Sequence, residues 1–188
     1  DAVRFFILSD SPPEKDVQWS DTGMASSYKY IQKFWQLNEK IAQIIKKDKA
    51  KTNSEIDFFT NQSINKINIA LENFRYNVII AVFHEIYSFF NKQVNEGLNF
   101  DNLNENYKKI LITMMPIAPH IASECYKNLY ADDSINWPKI ENKYFQSSKS
   151  NIVVQIPCLN EESTIGNVIK KFCIRSQRAN TYSVISTY

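Results

Sequence analysis

The sequence predicts a mainly α fold, an antiparallel helical bundle with a small βα-like tail at its C-terminal end. Three observations predict it. Apolar side chains recur at steps of three and four between about residues 22 and 130. No segment in that span alternates in the manner of a half-buried strand. Gly occurs only 3 times in 188 residues, which argues against a propeller, a hairpin-rich barrel or a Gly-rich phosphate loop.

The chain opens Asp1-Ala2-Val3-Arg4-Phe5-Phe6-Ile7-Leu8, without Met and already inside an apolar run. None of the parts of an export signal is present, and the expectation is a piece of a longer protein. Residues 10–21 hold Pro12, Pro13 and several cap-forming side chains and read as a loop. Ser20 or Asp21 can cap the helix that follows. That helix, about 22–48, is carried by Met24, Tyr28, Ile31 and Trp35, then by Leu37, Ile41 and Ile44. The lysine-rich run 46–51 closes it with cations at the negative end of the dipole.

Ile56, Phe59, Ile64, Ile67, Leu71 and Phe74 predict a second helix. Val78, Val82, Ile86, Phe89 and Phe90 predict a third, ended by Gly97. Leu103, Tyr107, Ile110, Leu111 and Met114 mark a fourth. Pro116 and Pro119 interrupt, and a fifth runs from His120 to about Tyr130. After Trp137-Pro138 the character changes. Residues 142–150 read as a polar linker, Ile152–Ile156 as a short β-branched strand, Thr164–Phe172 as a helix and Tyr182–Ser186 as a further strand. The expected division is 1–21, a connection and linker loop; 22–140, the bundle; and 141–188, linker and tail.

Charge excludes one class of function. Lys+Arg 22 against Asp+Glu 20 leaves +2, and through residue 150 the two signs balance. Overall charge therefore does not drive nucleic-acid binding, which must come from a local patch. No run of apolar residues is long enough to span a membrane. Cys125, Cys158 and Cys173 are odd in number and widely spaced, which fits a reduced cytoplasmic protein and offers no paired metal ligands.

Catalytic signals are mostly negative. His84, among Val82, Phe83 and Ile86, reads as a core or helix-surface histidine. His120, after Pro119, reads as a packing residue, with a cap or a phosphate contact as the alternative. Metalloprotease, zinc, Walker and nucleophile-elbow motifs are absent, and no metal is expected. Asp132-Asp133 and Glu161-Glu162 are chain neighbours that do not face one site, and they read as solvated. The thiols have no partner that would lower their pKa. No catalytic residue is assigned.

Basic residues beside aromatics are the positive signal. Lys29, Lys33 and Lys40 lie on the 22–48 helix with Tyr30 and Phe34 between them, and Arg75-Tyr76 joins the second and third helices. Lys29, Lys33, Arg75 and Tyr76 are the candidate RNA-binding residues: cations hold phosphate while a ring offers a stacking plane. The alternative is an ordinary solvated helix face.

The segment Val3-Arg4-Phe5-Phe6-Ile7-Leu8 through Pro12-Pro13 and Trp19-Ser20-Asp21-Thr22-Gly23 resembles leucyl-tRNA synthetases, a class I aminoacyl-tRNA synthetase family. In that family such a segment follows the KMSKS-type signature and leads into a helical anticodon-binding-type domain. Phe74-Arg75-Tyr76-Asn77 with Val78-Ile79-Ile80-Ala81 is similar to the family's third bundle helix. Pro116-Ile117-Ala118-Pro119-His120-Ile121-Ala122-Ser123-Glu124, then Trp137-Pro138, is similar to an ending shared by related class I enzymes. The resemblance covers about residues 1–156.

It implies a parent enzyme that activates leucine with ATP and transfers it to tRNALeu in the cytoplasm. The signatures for that chemistry and the editing domain lie upstream of such a segment, so this chain itself carries no cofactor. The implied partners are tRNALeu, docked through backbone and shape, and the upstream catalytic domain. Pro157-Cys158-Leu159-Asn160-Glu161-Glu162 through Ile169 instead resembles the opening of family 2 glycosyltransferases. That family's DxD motif is missing, and the tail is too short for its nucleotide-binding domain. The tail reads as a chimeric end. A glycosyltransferase fragment and a helical protein-binding module are the alternatives.

Overall fold

The opening apolar run coils into a helix, α1 (Ala2–Asp10), for which the sequence reading provides no element. Its adjacent Phe5 and Phe6 are both buried, because α1 is clamped from two sides. Phe5 stacks on Tyr30 with ring centroids 4.6 Å apart, and Phe6 meets Trp19 edge-on at 5.5 Å. The computed structural model describes residues 1–141 apart from 11–13, 48, 98 and 132–134, all within the compact unit Asp1–Tyr144. The linker 142–150 and the expected elements at 152–156, 164–172 and 182–186 lie outside the described residues, as do Cys158, Cys173 and the two acidic pairs.

The longest helix is α2 (Asp21–Ile45). Ser20 settles the choice of cap: its backbone is extended and its Oγ accepts the Gly23 N–H at 3.2 Å. The buried face runs Ser27, Tyr30, Phe34, Leu37, Asn38, Ile41 and Ile44. This corrects the expected stripe. Tyr28 is exposed, and Met24, Ile31 and Trp35 are only half-buried. The physical reason is phase: Leu37, Ile41 and Ile44 set the inward direction, and steps of three and four back from Leu37 reach Phe34, Tyr30 and Ser27. The helix ends at Ile45, and the lysines follow it instead of filling its last turn.

The other helices are α3 (Ser54–Glu72), α4 (Tyr76–Asn95), α5 (Leu103–Met114) and α6 (Pro119–Leu129), close to the expected bounds. Asn53 caps α3, its Oδ1 accepting the Glu55 N–H at 3.0 Å. Gly97, at φ +72, follows α4 where a left-handed residue is needed. Two short strands were not expected: β1 (Lys49–Ala50) and β2 (Asn99–Phe100) pair in parallel. Two residues are too few to show alternation. Asn99 holds this junction by donating from Nδ2 to Ile45 O and Lys47 O at 3.2 and 2.7 Å.

Lys47 Nζ donates to Gly97 O just past the C-terminal ends of α2 and α4, and Tyr30 in the first half of α2 meets Phe83 in the first half of α4, so the two helices run parallel. α3 returns in the opposite sense and packs on α4 and α5, α5 packs on α6, and α6 closes back onto α2. Tyr107 sits at the centre of the core between Phe34 and Phe90, its ring 6.4 and 5.6 Å from theirs. Residues 135–141 come back along α3: Trp137 Nε1 donates to Asn68 Oδ1 at 3.0 Å, and the Glu141 N–H donates to Asn61 Oδ1 at 3.1 Å. Among the described residues no helix is long and apolar enough to cross a membrane.

Candidate nucleic-acid interface

Lys29 and Lys33 lie on the exposed side of α2. The rings expected beside them do not. Tyr30 and Phe34 are core residues, and Tyr30 is locked there by donating its hydroxyl to Phe83 O at 2.9 Å. Burial pushes that hydroxyl's pKa far up. The exposed ring next to Lys29 is Tyr28, which the sequence reading assigned to the buried stripe.

Lys33 faces His84 of α4, and the histidine belongs to the surface. Its ring rests against Tyr30 at 4.5 Å and Phe5 at 5.9 Å. Burial against those neighbours, and secondarily the charge of Lys33, holds its pKa below the usual histidine range. The cleft of about 340 Å³ alongside is lined by Phe5, Ser9, Ser20, Ser26, Ser27 and His84. Ser9 and Ser26 donate their hydroxyl protons to Phe6 O and Thr22 O, so neither has a donor left for an anion.

Arg75 and Tyr76 form a separate station. Arg75 is the N-cap of α4, exposed, with no side-chain cap bond. Tyr76 is half-buried and packs on the core. His84 lies about 13 Å further along the axis of α4 from Arg75, at a rise of about 1.5 Å per residue. The four predicted residues therefore divide between two places.

Between α3 and α4 stands Phe74, which the apolar stripe of α3 would have buried. Here it is 62% exposed. α3 ends in two tightening bonds, Phe74 N–H to Leu71 O at 3.1 Å and Arg75 N–H to Ala70 O at 2.8 Å. That pattern requires the first of the two donor residues to be left-handed, and Phe74 takes φ +54. The turn swings its ring off the buried face of α3. An aromatic in a position that favours glycine carries no sequence signal, so the stripe count misassigns it.

His120 does not offer phosphate a free helix end. The α6 N-terminus is held by Asp1, whose carboxylate accepts the Ile121 N–H at 2.6 Å and the His120 N–H at 3.4 Å. Cys125 is buried, and burial, then the Glu124 charge, pushes its thiol up to about 12, so it stays protonated and inert. Among the described residues no three His, Cys, Asp or Glu side chains group as metal ligands. What the surface offers is the exposed cations Lys29, Lys33 and Arg75 and the exposed rings of Tyr28 and Phe74.

Comparison with known families adds the decisive observation. The model of the anticodon-binding domain of tRNA ligase matches residues 53–178. The chain belongs to this family. The matched span includes Pro157–Ile169, and none of these comparisons points to a glycosyltransferase. Leucine–tRNA ligase of Petrotoga mobilis is 30% identical over 172 residues, covering 83% of this chain and 21% of that protein. The leucine–tRNA ligase of Rickettsia bellii is 32% identical over 130 residues, covering 69% of this chain and 15% of its own length. The chain thus spans about a fifth or less of these relatives. Its fold is similar to the Agrobacterium radiobacter K84 agnB2 LeuRS in a ternary complex with tRNA and LeuAMS, with a TM-score of 0.66 at 16% identity over 98% of this chain and 27% of that one.

Proposed function

We propose that this anticodon-binding domain is the tRNA-docking part of a leucine–tRNA ligase. The parent enzyme activates leucine with ATP and passes the leucyl group to tRNALeu in the cytoplasm, and the groups that bind ATP and make the bonds belong to other parts of that enzyme. The chain's own share is positional. A misplacement of ~1 Å at the reacting atoms costs about 10²-fold in rate, so a docking module matters to chemistry it does not perform.

The observation that carries the reading is alignment to leucine–tRNA ligases along 83% of the chain. The surface is compatible with it: Lys29, Lys33 and Arg75 are exposed, and none has an ion-pair partner among the described residues. Cations of this kind contact phosphates and set register without reading bases. The test is a gel shift of a tRNALeu transcript with the full chain, beside the double variant Lys33→Glu/Arg75→Glu. Weaker binding by a variant that keeps its helical circular-dichroism spectrum is the expected result. Failure of the unsubstituted chain to shift tRNALeu at any workable concentration counts against the reading.

A further inference from the structure

Phe74 occupies a position where the fold prefers glycine, and its ring gains little burial in return. The two bonds that close α3, Phe74 N–H to Leu71 O and Arg75 N–H to Ala70 O, fix a left-handed residue at 74. Phe74 adopts φ +54 there, a conformation that crowds any Cβ and is uncommon for bulky side chains. A strained backbone is ordinarily balanced by packing, yet this side chain is 62% exposed. It is nonetheless held in place. Tyr76 braces it edge-to-face, ring centroids 6.3 Å apart at 75°. The next residue, Arg75, projects an exposed guanidinium with no partner among the described residues. Three successive residues thus supply a presented ring, a brace and a free planar cation.

We propose that the Phe74 ring is a stacking platform for an unpaired nucleobase of the bound RNA, with Arg75 on the adjoining phosphate. This rests on the tRNA-docking reading and deepens it by naming the contact. Every nucleobase has a π face, so stacking is tolerant of sequence, and aromatic rings and guanidinium planes are the groups that take up splayed bases. The half-buried Tyr76, a candidate for that role in the sequence, is the brace and not the platform. Exposed Ile69 and Val78 lie on the neighbouring helices, and a purely apolar protein contact through them and Phe74 is the competing occupant. It makes no use of the cation between them.

The experiment is fluorescence anisotropy of labelled tRNALeu with the full chain and with Phe74→Gly, Phe74→Trp and Arg75→Gln, together with thermal melts of each. Phe74→Gly removes the backbone strain, so its melting temperature rises by roughly 2–4 °C. Its affinity falls by roughly 5- to 150-fold, the range for losing one stacked base. Phe74→Trp keeps the affinity. Arg75→Gln weakens binding and lowers the salt slope by about one, whereas Phe74→Gly leaves the slope alone. If the unsubstituted chain binds and Phe74→Gly binds equally well, the stacking contact is overturned and the apolar occupant gains. If the unsubstituted chain does not bind, the docking reading fails and this inference fails with it.

Discussion

The carboxylate of Asp1 caps a helix more than a hundred residues away: Oδ2 accepts the Ile121 N–H at 2.6 Å. The N-cap residue of α6 is Ala118, which has no side chain to offer, and Pro119 supplies no N–H. Asp1 supplies the acceptor that Ala118 lacks, takes the N–H groups of the two residues after Pro119, and ties the start of α1 to the start of α6. His120 adds Nδ1 at 3.0 Å from Oδ1, with the Asp1 side chain only 7% exposed. Asp1→Ala is expected to lower stability by ~1–2 kcal/mol in urea unfolding, the scale of a lost cap on a helix dipole. Asp1→Asn retains part of it. An unchanged midpoint for Asp1→Ala would show that the contact carries nothing.

Gly23 sits in the first turn of α2, where Ala is ordinarily better by about 1 kcal/mol. A Cβ there would stand 2.7 Å from Phe6 Cε2. Phe6 is buried and held edge-on by Trp19, so its ring has little freedom to retreat. Gly23→Ala is therefore expected to destabilise by ~1–2 kcal/mol, and Phe6→Leu/Gly23→Ala to show a favourable coupling in a double-mutant cycle. A simple gain in stability for Gly23→Ala would contradict the close approach.

Phe34 and Trp35 are neighbours with different burdens. Phe34 is 0% exposed and packs on Tyr30 and Tyr107, whereas Trp35 lies half-buried at the edge. Phe34→Ala is expected to cost ~3–5 kcal/mol and Trp35→Ala about 1–2 kcal/mol. Chemical denaturation of the two variants side by side checks the phase of α2, and the reverse order would place the wrong face inward.

His84 gives the fold a pH dependence. Its folded pKa lies below the ordinary value of about 6.5, so the unfolded chain binds the proton more readily. The stability it supports is fully present above about pH 6.5 and is lost as pH falls from there toward the lower folded value. The charged group facing it is Lys33, and Tyr30 beside it stays neutral throughout. His84→Gln is expected to lose less stability than the unsubstituted chain between about pH 7.5 and pH 5. Equal losses would mean the ring titrates as freely when folded as when unfolded.

Helix number and bounds after residue 20 were legible because periodicity and punctuation agree: Ser20 starts α2, Gly97 follows α4, and Pro119 opens α6. Which side of α2 faces inward was not legible. Met24, Tyr28, Ile31 and Trp35 are spaced as regularly as Tyr30, Phe34 and Leu37, and only packing against α1, α4 and α6 chooses between them. α1 escaped because Phe5 and Phe6 are consecutive and both buried, which no single helical stripe describes. At the candidate interface the cations were visible as residue types. Their separation into two stations, and the outward turn of Phe74, depend on backbone geometry that residue spacing does not encode.

The salt dependence of tRNALeu affinity tests the docking role most directly. A chain that grips phosphates releases counterions, so log K falls linearly with log salt, at about 0.7–0.9 per phosphate neutralised. The full chain is expected to bind tRNALeu with such a slope, and Lys33→Glu/Arg75→Glu to bind more weakly with a shallower one. A slope near zero, or an affinity untouched by the double charge reversal in a folded protein, would contradict tRNA docking through these cations.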